Sequence, residues 1–81
     1  MDEKLLQILV ELTKIEADPS VPKNVRAKVK NAICALEEDG KQIEVKIDKV
    51  LEELSDIDDD PNVQQYTRTQ IWGIVSALEV K

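Results

Sequence analysis

The most constraining feature of this sequence is an internal duplication at a spacing of 42 residues, which aligns the two halves without a gap. The identical pairs at this spacing include Leu9 and Leu51, Leu12 and Leu54, Ile15 and Ile57, Asp18 and Asp60, Pro19 and Pro61, and Arg26 and Arg68. A duplication of this length predicts one structural unit used twice, as in helical repeat proteins with about 40 to 47 residues per unit.

Each copy has the pattern of two amphipathic helices. In the first copy, apolar residues recur at helical spacing from residue 3 to about 17 and again from about 22 to 38. The corresponding positions of the second copy are Ile43, Ile47, Val50, Leu51, Leu54 and Ile57 in its first helix and Ile71, Ile74, Val75 and Leu78 in its second. Each copy is therefore predicted to form a helical hairpin.

Proline and glycine mark the ends of the predicted helices. Asp18-Pro19 and Asp60-Pro61 end the first helix of each copy, because proline lacks an amide donor and disfavours helical geometry in the residue before it. Asp18 and Ser20 are both candidates to accept amide hydrogen bonds at the start of the next helix. Asp39-Gly40 marks the junction between the copies, where glycine can adopt the left-handed conformation that ends a helix.

With 81 residues, the chain is expected to form one domain over residues 1–81 with a single core. Repeat one covers about 3–39 and repeat two about 41–81. The prediction is an all-α fold, in which four antiparallel helices from two repeated HEAT-like hairpins pack as a compact bundle, because neither hairpin can bury its apolar stripe alone.

The resemblance to a known family lies in several runs of sequence. These are Asp60-Pro61-Asn62-Val63, Arg68-Thr69, the run from Ile71 to Glu79, the run from Val21 to Arg26 and the run from Leu51 to Ser55. Together they resemble the archaeal uncharacterised protein family 0147, although Gln64 stands where the family often has proline. The resemblance implies an all-α fold and an archaeal cytoplasmic source, and it implies no established activity, cofactor or catalytic residue.

Charge and residue usage exclude several classes of function. A net charge of −6 disfavours a nucleic-acid or anionic-membrane partner. The chain has no apolar run of the roughly 20 residues that span a bilayer, and it begins Met1-Asp2-Glu3-Lys4 without the pattern of a signal peptide. We therefore expect a cytoplasmic protein. The chain has no histidine, only two glycines and the single cysteine Cys34, so we expect no enzymatic activity and no cofactor.

Two clusters of charge are candidate ligand sites. The acidic run with Asp56, Asp58, Asp59 and Asp60 could bind a hard cation, but it lacks the alternating ligands and glycine of an EF-hand loop, and a solvated turn is the favoured interpretation. On the second helix, Lys23, Arg26 and Lys30 share a face that could contact phosphate. This stripe has no interleaved aromatic residues, so a solvated face is again favoured.

The equivalent arginines of the two copies, Arg26 and Arg68, are predicted to be structural. In repeats of this type, such an arginine often pairs with the loop aspartate, here Asp18 or Asp60, or caps a carbonyl group in the neighbouring unit. Pro19 and Pro61 belong to the same structural turns.

A candidate interaction patch consists of Leu6, Val10, Trp72, Ser76 and Val80. Helical geometry turns Trp72 and Ser76 away from the main apolar stripe, whereas Leu6 and Val10 broaden the apolar face of the first helix. Either Leu6 and Val10 belong to a more buried first helix that Trp72 covers as additional core, or these residues form an exposed patch for a partner or a second copy. Cys34 is either an exposed thiol or a small residue packed against a neighbouring helix.

The function expected from the sequence is therefore that of a non-enzymatic protein–protein interaction module. Homodimerisation is the most concrete form of this hypothesis. The alternative is an RNA-associated accessory protein that uses the basic face of the second helix.

Overall fold

The computed structural model describes residues 3–79, and it places them in four α-helices. Helix α1 spans Glu3–Glu16, α2 spans Lys23–Glu37, α3 spans Ile43–Asp58 and α4 spans Gln65–Glu79. The predicted all-α fold is confirmed. None of these helices is long and apolar enough to cross a membrane.

The turn between α1 and α2 is organised by Asp18. Its Oδ1 accepts hydrogen bonds from the backbone amide of Ser20 at 2.9 Å and from the Ser20 hydroxyl at 2.7 Å. Pro22 precedes α2 with an extended backbone, and no side chain caps the start of that helix. The expectation that Asp18 or Ser20 caps α2 is therefore wrong, because the two side chains bind each other inside the turn.

The junction between the two hairpins contains Gly40, whose φ is +81°. This left-handed conformation is strained for residues that carry a Cβ, and it lets the chain reverse between the end of α2 and the start of α3. The predicted role of Asp39-Gly40 as the junction agrees with this geometry.

The four helices form a closed antiparallel ring. Helix α2 packs closely against α1 and α3, and α4 completes the ring with fewer close contacts to α3 and α1. Within residues 3–79, the diagonal pairs α1 with α3 and α2 with α4 do not approach closely. The small Ala32 of α2 is buried at the position where α4 has the larger Ile74.

The core uses mostly the same positions in both copies, but Leu5 and Ala35 are buried where their equivalents Ile47 and Ala77 are half-buried. Its buried apolar residues are Leu5, Ile8, Leu12, Ile15, Val21, Val25, Val29, Ala32, Ala35 and Leu36 from the first copy and Val50, Leu54, Ile57, Val63, Ile71, Ile74 and Leu78 from the second. Thr67 is also buried, where the first copy has Val25. The sequence duplication therefore corresponds to a largely duplicated pattern of burial.

One predicted core position is exposed. Ile43 was expected to line α3, but 43% of it is exposed, and Ile47 is only half-buried. Ile43 is the first residue of α3, close to the junction at Gly40. Helical spacing therefore predicted the side of α3 on which Ile43 lies, but not how far the residue is buried.

Candidate interaction surface

A groove separates α3 from α4 on the outside of the bundle, and Trp72 forms part of its wall. Its volume is about 680 Å³. The apolar lining residues are Leu51, Leu54, Ile71, Trp72 and Val75. The backbone of Trp72 is fixed in the middle of α4, yet 63% of the residue is exposed. The α3–α4 groove is therefore an apolar depression with a large aromatic side chain beside it.

The rim of the α3–α4 groove is acidic. Asp48, Glu52 and Glu79 line it together with Ser55 and Ser76, and the described lining includes no basic side chain. By contrast, the smaller groove between α1 and α4 has both Lys4 and Glu11 in its lining. The three carboxylates give this depression a negative electrostatic potential, so the α3–α4 groove favours a cationic ligand.

The residues of the predicted interaction patch that the structure describes are all exposed. Leu6 and Val10 are 48% and 51% exposed, so the interpretation that Trp72 covers them as additional core is wrong. The exposed-patch alternative stays a prediction for Leu6, Val10 and Trp72, which are all exposed. Neither Leu6 nor Val10 lines the grooves on the two sides of α4, and the polar residues Lys4, Gln7, Glu11 and Thr69 lie between α1 and α4. Ser76 lines the α3–α4 groove with Trp72, whereas Val80 lies outside the described residues.

Arg68 fastens the turn between α3 and α4. Its Nη2 donates a hydrogen bond of 2.8 Å to the backbone carbonyl oxygen of Asp60. Arg26 and Arg68 are both half-buried, and the Nε atom of each is buried without a hydrogen-bond partner. The carbonyl group that Arg68 caps belongs to its own repeat rather than to the neighbouring one. Pro19 and Pro61 are exposed in the turns that Asp18 and Asp60 begin.

Asp60 connects the two repeats. Its Oδ1 accepts a hydrogen bond from the backbone amide of Asn62 at 2.9 Å, and its Oδ2 accepts one from Nδ2 of Asn24 at 2.8 Å. These hydrogen bonds, the Asn62 amide first, lower the pKa of Asp60 below its ordinary value of 3.8. The hydroxyl and amide of Ser20 lower the pKa of Asp18 in the same way. Both carboxylates are thus stabilised in the ionised form.

We expect stability to fall in acid because of these two carboxylates. The folded-state pKa of each carboxylate lies below its unfolded value of 3.8. The two carboxylates therefore contribute fully to folding stability above pH 3.8, and this contribution is lost as the pH falls through the lower folded-state pKa. Urea unfolding of the wild type and Asp60→Asn between roughly pH 5 and pH 2 would measure the loss. The variant should show a shallower decline with acid, whereas Glu3→Gln on α1 should retain the wild-type decline. Equal declines in all three proteins would contradict the assignment to Asp60.

The basic stripe predicted on α2 is shorter in the structure. Lys23 and Lys30 are exposed, but Arg26 is half-buried beside the first turn. Nζ of Lys28 lies 3.3 Å from Oδ2 of Asp56 on α3. The prediction of three basic side chains on one accessible face is therefore wrong for Arg26, and two lysines remain.

The described carboxylates of the acidic run are not gathered into a cation site. Asp56 is close to Lys28, and both oxygens of Asp60 accept hydrogen bonds within the protein. Asp59 is exposed at the end of α3, and the side chain of Asp58 lies outside the described residues. Among the side chains that the structure describes, no group of three or more acidic or cysteine residues is arranged to hold a metal ion.

Cys34 is an exposed thiol. It lies in a shallow depression between α2 and α3, next to residues that include Asn31, Glu38 and Lys49. Of the two alternatives for this residue, the structure thus agrees with the exposed thiol.

The sequence interpretation missed the acidic rim of the α3–α4 groove. Asp48 and Glu52 are one helical turn apart on α3, and they correspond at the 42-residue spacing to Leu6 and Val10. This replacement of apolar by acidic residues is visible in the sequence. The location of Asp48 and Glu52 beside Trp72 is not visible in the sequence, because it depends on how α4 packs against α3.

These features define a small all-α protein, a four-helix ring of two similar hairpins with an exposed aromatic groove on one side. The chain belongs to the uncharacterised protein family UPF0147, whose model matches residues 1–80. It is also similar to the crystal structure of the unknown function protein MMP1188, with 43% sequence identity and a TM-score of 0.93 over 98% of this chain and 90% of that chain. No curated protein matches the sequence.

Proposed function

We propose that this chain is a non-enzymatic protein–protein interaction module of the cytoplasm and that the α3–α4 groove is its contact surface. The observation that carries the proposal is the exposure of Trp72 beside an apolar depression. An enzymatic role has little support, because the sequence has no histidine and the carboxylates of Asp56 and Asp60 are engaged by neighbouring side chains.

Tryptophan is well suited to such a contact. Its large ring buries about 150 to 250 Å² when it is covered, and it has few rotatable bonds to immobilise. Tryptophan is therefore enriched among the residues that contribute most to protein–protein affinity. Since Trp72 is held on a helix, its position changes little before and after binding, and the entropic cost of binding is reduced.

The lining of the groove also indicates the chemistry of the partner. An apolar segment can cover Leu51, Trp72 and Val75, while lysine or arginine side chains reach Asp48 and Glu52 at the rim. Charge complementarity of this kind increases the association rate and selects among partners. The expected partner surface is thus apolar with basic residues beside it.

A synthetic helical peptide made only of leucine and lysine, with an apolar and a basic face, provides a direct test. Trp72 is the only tryptophan in the chain, so its fluorescence reports occupation of the groove. We expect a saturable spectral change with this peptide and none with a peptide in which glutamate replaces lysine. The double variant Asp48→Lys, Glu52→Lys should weaken binding roughly tenfold, a loss of about 1.4 kcal/mol.

The matched control is Glu3→Lys, Glu38→Lys, which changes the net charge equally at two exposed positions away from the groove. Binding by this control should equal that of the wild type. If neither peptide changes the fluorescence at millimolar concentration, the α3–α4 groove is not an interaction site of this kind.

The alternative function, an RNA-associated accessory protein, is less favoured. It depended on Lys23, Arg26 and Lys30 acting together, and Arg26 is half-buried. Two exposed lysines on a chain with a net charge of −6 give a weak attraction to phosphate. RNA binding at physiological salt that Lys23→Glu, Lys30→Glu abolishes would favour this alternative.

A further inference from the structure

The two hairpins present corresponding surfaces with opposite chemistry. At the 42-residue spacing, Asp48 and Glu52 of the α3–α4 groove correspond to Leu6 and Val10 on α1. Trp72 and Ser76 correspond to Lys30 and Cys34 on α2. We define the α1–α2 face as Leu6 and Val10 of α1 and Lys30 of α2, all of which are exposed.

The corresponding positions exchange apolar and charged character. On α1, two apolar side chains stand where α3 has two carboxylates, and on α2 a lysine stands where α4 has tryptophan. Lys23 adds a second exposed cation two helical turns before Lys30. Glu37 and Glu79 occupy the same position in both hairpins, so the difference in chemistry rests on the other positions.

The α1–α2 face therefore has the properties that the α3–α4 groove favours, which are apolar side chains with lysine beside them. Resting on the proposed function of that groove, we infer that its occupant is the α1–α2 face of a second copy of this chain. Leu6 and Val10 of one copy cover Trp72 of the next, and Lys30 approaches Asp48 and Glu52. A symmetric pairing of two grooves is disfavoured, because it would bring six carboxylates together.

The ring arrangement determines what such a contact builds. Because the helices follow the order α1, α2, α3, α4 around the ring, the outer sides of the two hairpins lie on opposite sides of the bundle. In a dimer held by such a contact, one copy still has an unoccupied α3–α4 groove and the other copy still has an unoccupied α1–α2 face. Such heterologous contacts continue from copy to copy until a ring closes or a linear chain forms.

The test uses two complementary variants. A groove variant, Glu52→Lys with Trp72→Ala, retains only the α1–α2 face, and a face variant, Val10→Asp with Lys30→Glu, retains only the groove. All four positions are exposed, so each variant should remain folded, and circular dichroism checks this. Light scattering should show that the mass of the wild type rises with concentration beyond that of a dimer. Each variant alone should be monomeric, and an equimolar mixture should form a one-to-one dimer that grows no further.

The control Glu3→Lys makes the same charge change as Glu52→Lys, but on α1 and outside both surfaces. It should associate like the wild type. A wild type that stays monomeric at millimolar concentration, one that stops at a symmetric dimer, or a variant mixture that stays monomeric would each overturn the inference. If the wild type is monomeric but binds the leucine–lysine peptide, the proposed function stands and only the second copy is excluded as occupant. If neither association occurs, both proposals fail.

Discussion

Replacement of Leu12 by alanine is expected to lower the free energy of unfolding by about 2 to 5 kcal/mol. Leu12 is completely buried in α1 and belongs to the core shared by both hairpins. The loss combines the transfer of fewer apolar atoms from water with the cavity that the surrounding side chains cannot fill. A domain of this size is stable by only about 4 to 12 kcal/mol, so the variant should be close to unfolded at moderate urea concentrations.

Leu6→Ala makes the same chemical change on the same helix and is the matched control. Because Leu6 is about half exposed, the control should lose less than about 0.5 kcal/mol. Urea unfolding followed by circular dichroism, at a protein concentration low enough to avoid association, measures both variants. Similar losses at the two positions would mean that α1 is rotated relative to the described packing.

Replacement of Arg68 by alanine is expected to cost about 1 to 3 kcal/mol. The variant removes the charged donor to the Asp60 carbonyl oxygen at the turn between α3 and α4, and it leaves that oxygen with the longer hydrogen bond from the backbone amide of Val63 at 3.3 Å. The guanidinium group is planar and rigid, whereas an ammonium group is a compact charge on a flexible stem. Arg68→Lys should therefore recover less than half of the lost stability, even though it keeps the charge.

Lys30→Ala separates this geometric contribution from the loss of one positive charge. Lys30 is exposed on α2, so its replacement should change stability by less than about 0.5 kcal/mol. Urea unfolding at neutral pH is the measurement for all three variants. If Arg68→Ala and Lys30→Ala lose the same small amount, the hydrogen bond to Asp60 contributes little to the fold.

The sequence predicted the helical elements well because the signals for them are local. Helical spacing of apolar residues, the two Asp-Pro turns and Gly40 each determine backbone conformation within a few residues. The duplication then predicted that positions such as Leu12 and Leu54 would share an environment, and both are fully buried.

The surfaces were less predictable because they depend on which helices become neighbours. The direction of Trp72 on α4, away from the main apolar stripe, was visible in helical spacing, but the sequence left open whether Trp72 is covered core or exposed surface, and 63% of it is exposed. Similarly, the half-burial of Arg26 and the contact between Asn24 and Asp60 arise from the turns and from contact between the two hairpins. Neither has a signal in local sequence spacing.

The closed ring also makes the two hairpins interchangeable in order. Since α1 and α4 are antiparallel neighbours, the first residues of α1 and the last residues of α4 lie at the same end of the bundle, as does Gly40. A short linker joining these ends, combined with a break at Gly40, would give a circular permutant that begins with α3 and finishes with α2. Every helix would keep both of its neighbours, so connectivity is less important to this architecture than the matching of the two apolar stripes.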